Sequence, residues 1–314
     1  MKKRLLAAAV AATVVLSTAS VFASPVEFDG TASYRYRVDK NETTSDEKGS
    51  IFKVILNAKT NVAENLDVYA RLGVEYLTNE NVGSDFTTAG KTSKDALDQF
   101  GFNYNNAGFN YKIGRQSATI GATALLYNNN YYVGRDSMVD GINITGKTGV
   151  TSIDFIAAEE DKAGSNDNRL YGLRASYSPA KDWVVGATLA KYDYSGASDT
   201  NHWAVDASYT SGKATYFGEF TKSNASDNNR AYDVGVSYAF DAKNTAYVIA
   251  YNVQANGDMG AMTDFENNGK GFYYGIDHKF DNSTTGSLFF RQRSVVEGAS
   301  NDNTSFRATV TYKF

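Results

Sequence analysis

The sequence predicts an all-β protein, a transmembrane antiparallel up-and-down β-barrel of about 16 strands. Three observations carry that prediction. First, 314 residues contain only 2 Pro, where ordinary usage is ~5%; long paired strands exclude proline because it cannot donate to a ladder. Second, apolar and polar residues alternate with a period of two along most of the chain, and a strand sends successive side chains to opposite faces. Third, the connections between these segments alternate between short and long.

Composition closes off other classes. A mean hydropathy of −0.41 excludes a bundle of membrane helices, each of which needs ~20 apolar residues. With no Cys there is no disulfide scaffold, thiolate metal site or thiol nucleophile. His202 and His278 are the only histidines, which leaves little for a metal centre. No cofactor and no metal is expected.

In chain order, Lys2, Lys3 and Arg4 precede an almost wholly apolar run from Leu5 to Leu16, closed by Val21-Phe22-Ala23. This pattern reads as a cleaved secretory signal peptide over 1–23; the run is short for a retained anchor. One domain over 24–314 follows. Loss of three positive charges takes the formal charge from −4 to about −7, the wrong sign for nucleic acid.

Strands are expected at 26–38, 50–60, 66–76, 97–105, 108–115, 137–144, 150–159, 169–178, 183–194, 202–211, 214–222, 230–240, 245–254, 271–280, 285–293 and 304–314. The segment from Leu66 to Tyr76 shows why. Leu66, Val68, Ala70, Leu72, Val74 and Tyr76 share one face; Asp67, Arg71 and Glu75 share the other. Phe306, Ala308, Val310, Tyr312 and Phe314 repeat the design against Arg307, Thr309, Thr311 and Lys313. Each segment has the ~10 residues a tilted strand needs to cross a bilayer. Eighteen strands would result if a long loop hid another hairpin.

Short connections such as Asn106-Ala107, Gly212-Lys213 and Asp241 to Asn244 carry turn residues. The longer ones, 39–49, 77–96, 116–136, 160–168, 195–201, 223–229, 255–270 and 294–303, are mostly polar. Rings recur beside the short turns: Tyr104 and Phe109, Tyr177 and Trp183, Tyr209 and Tyr216, Tyr238, Phe240 and Tyr247, with Phe280 and Phe314 at the same level. Amphipathic rings favour the headgroup zone, so these are read as an aromatic girdle. A strand in lipid must have every backbone group paired, which requires closure. A sheet of sixteen closes around a lumen too wide for side chains to fill.

The chain resembles the general porins of Gram-negative-type outer membranes over its mature length. The residues that carry the resemblance are the leader, the sixteen-segment pattern, the terminal Thr311-Tyr312-Lys313-Phe314, the run Tyr111-Lys112-Ile113-Gly114-Arg115-Gln116 and the element Asp140-Gly141-Ile142. The resemblance implies a homotrimer in outer-membrane lipid, a third long loop folded into the lumen, and passive diffusion of ions and small hydrophilic solutes. It also implies recognition of Phe314 by the barrel-assembly machinery, and a second loop (77–96) that latches onto a neighbouring subunit.

By that count 116–136 is the constriction loop, with a helical turn over Ala122 to Leu126 and a gap lined by Tyr127, Asn128, Asn129, Asn130, Tyr131, Tyr132 and Arg135. Asp136 apart, the loop lacks the acids of many porins and filters by size and hydrogen bonding. Parity turns Arg35, Arg37, Lys53, Arg71, Lys112, Arg291, Arg293 and Arg307 inward, and Arg115 is added as part of the basic wall. Asp29, Asp67, Glu75, Asp154, Asp206, Glu219, Asp233 and Asp277 point inward too. A basic stripe facing an acid-free loop predicts weak anion preference.

Rival readings are a substrate-specific channel, an outer-membrane hydrolase and a secreted β-sandwich adhesin. No sugar-stacking aromatic ladder stands out. A hydrolase would use His202 with Asp206, but no Gly-x-Ser-x-Gly nucleophile motif is present. The acidic loop residues Asp161, Asp167, Asp264 and Glu266 lack EF-hand spacing and are read as solvated. His278 is read as a structural residue on the outer face.

Overall fold

The computed structural model describes residues 24–79, 93–130, 133–134, 138–161, 167–196 and 198–314. Leader 1–23 and loop segment 80–92 lie outside the described residues. The strands are β1 (Glu27–Asn41), β2 (Glu47–Ala63), β3 (Leu66–Leu77), β4 (Ser93–Asn106), β5 (Phe109–Gln116), β6 (Thr119–Ile120), β7 (Tyr127–Asn128), β8 (Val139–Thr148) and β9 (Thr151–Glu160). They continue as β10 (Arg169–Tyr177), β11 (Trp183–Asp193), β12 (Thr200–Ser211), β13 (Ala214–Ser223), β14 (Arg230–Ala239), β15 (Asn244–Val253), β16 (Gly269–Lys279), β17 (Thr284–Val295) and β18 (Asn303–Lys313).

Sixteen of these form one closed barrel in which each strand pairs antiparallel with its neighbours in sequence, and β1 pairs with β18. The remaining two, β6 and β7, form a separate hairpin inside the third long loop. The long loop therefore does hide a hairpin, but it is too short to join the wall. No helix appears among the described residues; the stretch Ala122 to Leu126 is a series of bends, not the helical turn expected, and Ala124 takes φ 61°.

The faces are inverted relative to a water-soluble protein. Leu189, Val234, Ile276 and Leu288 are 50% exposed or more, while Glu75, Asp98, Glu219, Asp233 and Ser305 are buried. A closed apolar exterior of this size is far beyond the patches water-soluble proteins tolerate, and it suits hydrocarbon. At the turn end Tyr104, Tyr177, Trp183, Tyr216, Tyr238, Phe240, Phe280 and Phe314 are exposed on that exterior. Tyr247 is not among them: it pairs with Ser237 and Gly275 on the opposite parity and faces the lumen.

Candidate functional site

Among the described residues two loops, not one, enter the lumen. The third loop, between β5 and β8, packs Ala118, Ile120, Leu126 and Tyr127 against Leu170, Tyr192 and Ala204 of the inner wall. Tyr127 donates to Glu160 Oε1 at 2.9 Å, and Tyr192 donates to Glu160 Oε2 at 2.8 Å. Burial, with Glu160 beside it, pushes the Tyr127 hydroxyl well above the usual tyrosine range. At the loop tip the Ala122 and Thr123 backbone N–H groups and the Thr123 hydroxyl converge on Glu219 Oε2 at 2.8–2.9 Å, and the same hydroxyl touches Asp233. The tip comes so close that a Cβ on Gly121, at φ +99°, would stand 2.4 Å from Glu219 Oε1.

The second loop, 254–268 between β15 and β16, lies beside the first. Met259 N–H donates to Leu126 O at 2.8 Å, Asn128 N–H to Met262 O at 2.5 Å, and Asp264 N–H to Ala124 O at 3.2 Å. Met259 and Phe265 are buried, each in a different apolar cluster. The expectation of a solvated 255–270 loop is therefore corrected: its Met and Phe side chains require cover, which the third loop supplies.

An open cavity of about 1160 Å3 lies between these loops and the wall, and reaches toward the turn end, where Val184 and Ser237 line it. Arg35, Arg37, Arg174, Arg291 and Arg307 line it together with Asp206, Asp264 and Glu266. Five cations thus face three carboxylates. Arg174 grips Asp206 with two contacts of 2.7 and 3.1 Å, and Arg291 pairs with Glu266. The acid-free constriction expected from the third loop is corrected too, because Asp264 and Glu266 arrive from 254–268.

The predicted site residues divide. Arg35, Arg37, Arg291 and Arg307 reach the cavity. Arg71 is tied to Asp98 at 2.8 Å, which in turn accepts Gly134 N–H at 3.0 Å at the loop root. Lys112 stands 4.7 Å over the Tyr69 ring. Lys53 lies in register between Ser33 and Glu75, and Arg293 donates to Asn301 O at 3.3 Å toward the long-loop rim.

Arg115 is a correction. It pairs in register with Phe100 and Asp140, and Phe100 is exposed on the exterior; Arg115 therefore belongs to the outer face, where it bonds Asp140 and Asp161. The loop asparagines are also displaced from the gap. Tyr127, Asn128 and Asn129 are buried, and Asn130 folds back to Asn128 and Thr119. Gly121, Ala122 and Thr123 face the cavity in their place. Tyr131, Tyr132 and Arg135 lie outside the described residues.

Arg174 was missed, although β10 alternation sets it with Ser176 and against Tyr171, Leu173 and Tyr177. His202 is buried with its Nε2 2.9 Å from Thr200 Oγ1, and Asp206 is engaged by Arg174, so the two form no dyad. His278 sits against Phe280 and Asn244.

Closed antiparallel topology, sixteen wall strands and an inward third loop define a porin-type barrel. Among solved structures, a triple mutant of Rhodopseudomonas blastica porin is similar with a TM-score of 0.62 at 14% identity, covering 92% of this chain and 100% of that one. A double mutant of the same porin gives 0.63 at 14% identity with the same coverage. A structure described under asymmetric conductivity of engineered proteins gives 0.61 at 12% identity, again over 92% and 100%. No family model and no curated protein matches the chain. At these identities the likeness is one of fold.

Proposed function

We propose that this chain is an outer-membrane porin: a water-filled channel for passive diffusion of ions and small hydrophilic solutes, and a channel rather than an enzyme. The observation that carries the reading is the open, charge-lined cavity between two inward loops and the wall of a closed barrel whose exterior is apolar. Such an exterior fits hydrocarbon, and a hydrated bore fits solute passage. The sequence pattern of 1–23 supports export through a cleaved leader into the outer membrane of a diderm bacterium. A homotrimer, assembled by the barrel machinery through Phe314, suits the porin-type fold.

Weak anion preference belongs to the same reading. Arg174 and Arg291 pair with Asp206 and Glu266, and Arg37 with Asp39; with Asp264 also counted, the five arginines that line the cavity still leave its balance positive, focused by low-dielectric walls.

Planar-bilayer recording tests both parts. Stepwise insertion in threes is expected, and a tenfold KCl gradient is expected to give a reversal potential of the sign set by chloride. Impermeable liposomes would overturn the channel reading, whereas clear cation preference would overturn only the selectivity.

A further inference from the structure

Strand register builds a row across the lumen wall that no single segment reveals. Arg37 pairs with Arg307, Arg307 with Phe289, Phe289 with Gly275, and Gly275 with Tyr247. All but Gly275 line the cavity. Gly275 makes room for the row: a Cβ there would stand 2.1 Å from the Tyr247 ring, so that ring lies down across the glycine. Beside Phe289 on the same inner face, Tyr273 packs edge-on at 5.0 Å and Phe265 stacks on Tyr273 at 5.4 Å. Neighbouring rings thus hold the Phe289 ring of this aromatic platform in place.

One end of the platform is cationic. The Arg307 guanidinium stands 4.9 Å from the Phe289 centroid, and among the described residues its polar contact is the Ser305 hydroxyl at 3.4 Å. Arg37 is paired with Asp39 at 2.8 Å, and among the described residues no carboxylate bonds Arg307. A guanidinium presents a fork of donors that matches a carboxylate. The adjacent ring faces favour offset or edge-on contact with another ring.

Resting on the channel reading, we propose that this row is a solute subsite for aromatic carboxylates. The carboxylate takes Arg307, with Arg37 adjacent, and the ring lies along Phe289 and Tyr247. A simple anion satisfies only the cationic end, and a neutral aromatic only the other. The channel then passes such solutes through a weak, saturable site as well as by free diffusion. The platform is the aromatic ladder that inspection of the sequence does not reveal, because its members sit on β15, β16 and β17 and meet only through register.

The test uses the full mature chain in planar bilayers, with benzoate, acetate and benzyl alcohol added to KCl. Benzoate is expected to block current at roughly three- to tenfold lower concentration than acetate, the range one aromatic contact supplies, with benzyl alcohol weaker than benzoate. Within each variant the benzoate-to-acetate ratio is the readout, so changes in open conductance cancel. Phe289→Leu is expected to bring that ratio close to one, and Arg307→Gln to weaken both anions together. Tyr247→Leu tests the same platform if Phe289→Leu fails to fold. Equal block by benzoate and acetate in a conducting wild type, or a ratio unchanged in Phe289→Leu and Tyr247→Leu, overturns the subsite and leaves the channel reading intact. Absence of KCl conductance overturns the channel reading; benzoate binding to the detergent-purified barrel by calorimetry then decides the subsite alone.

Discussion

At the scale of the residue, the third loop is held at its tip by donors gathered on one carboxylate. Two backbone N–H groups and the Thr123 hydroxyl meet Glu219, which is buried and, among the described residues, has no lysine or arginine as a hydrogen-bond donor. Hydrogen bonds to a charged group contribute about 1.5–3 kcal/mol each, so Thr123→Val should loosen the tip without disturbing the barrel. The expected outcome is at least tenfold faster hydrogen exchange at the Ala122 and Thr123 amides, with wall-strand amides unchanged. Unchanged exchange at both amides would show that the loop is held elsewhere, by the Tyr127–Glu160 contact at its base. Glu219→Gln keeps one acceptor oxygen and should fall between wild type and Thr123→Val.

At the scale of the element, what was legible depended on how local the determining contact is. All sixteen wall strands could be read because alternation is a property of each strand by itself, and β3 and β18 illustrate it from end to end. Arg115 could have been placed by the same rule: it shares parity with Ile113, on the outer face. The bulge opposite Arg71 and Leu72, where Gln99 gives way to Leu97 in the register, turns Asp98 inward, and nothing local announces it. Docking of 254–268 on the third loop joins segments more than a hundred residues apart. Its one trace in the sequence is Met259, Met262 and Phe265 in an otherwise polar loop.

That docking should depend on pH through Asp258. This side chain is buried and accepts from Asn267 Nδ2 at 2.8 Å through Oδ1, and among the described residues Oδ2 has no hydrogen-bond partner. Burial pushes its carboxyl from the ordinary 3.8 up to about 7. The docked loop therefore prefers the neutral form. Its contribution is fully present below the unfolded value, declines as pH rises through the folded value, and levels off above it. The Met259 amide, bonded to Leu126 O, is expected to exchange faster at pH 8 than at pH 5 after correction for intrinsic rates. Asp258→Asn should remove that difference, and a difference that survives would assign the dependence to another group.

At the scale of the whole molecule, everything rests on closure, because a barrel with an open seam exposes a row of unpaired backbone groups to hydrocarbon. The seam is β1 against β18, and its last bonds are made by the final residue: Gly30 N–H donates to Phe314 O at 2.9 Å and Phe314 N–H to Gly30 O at 3.1 Å. The Phe314 ring lies over Gly30, where a Cβ would stand 2.7 Å from it, and is still 53% exposed at the turn end. Backbone and ring thus do different work, and two variants separate them. Deleting Phe314 removes both bonds, at about 1 kcal/mol each, and should lower the urea midpoint of the barrel refolded in detergent. Phe314→Ala keeps the bonds and should refold close to wild type. If Phe314 is recognised by the assembly machinery as proposed, both should accumulate poorly in the outer membrane of cells, because the exposed ring is what that recognition would read. Normal accumulation of Phe314→Ala would reduce the terminal residue to a clasp for the seam.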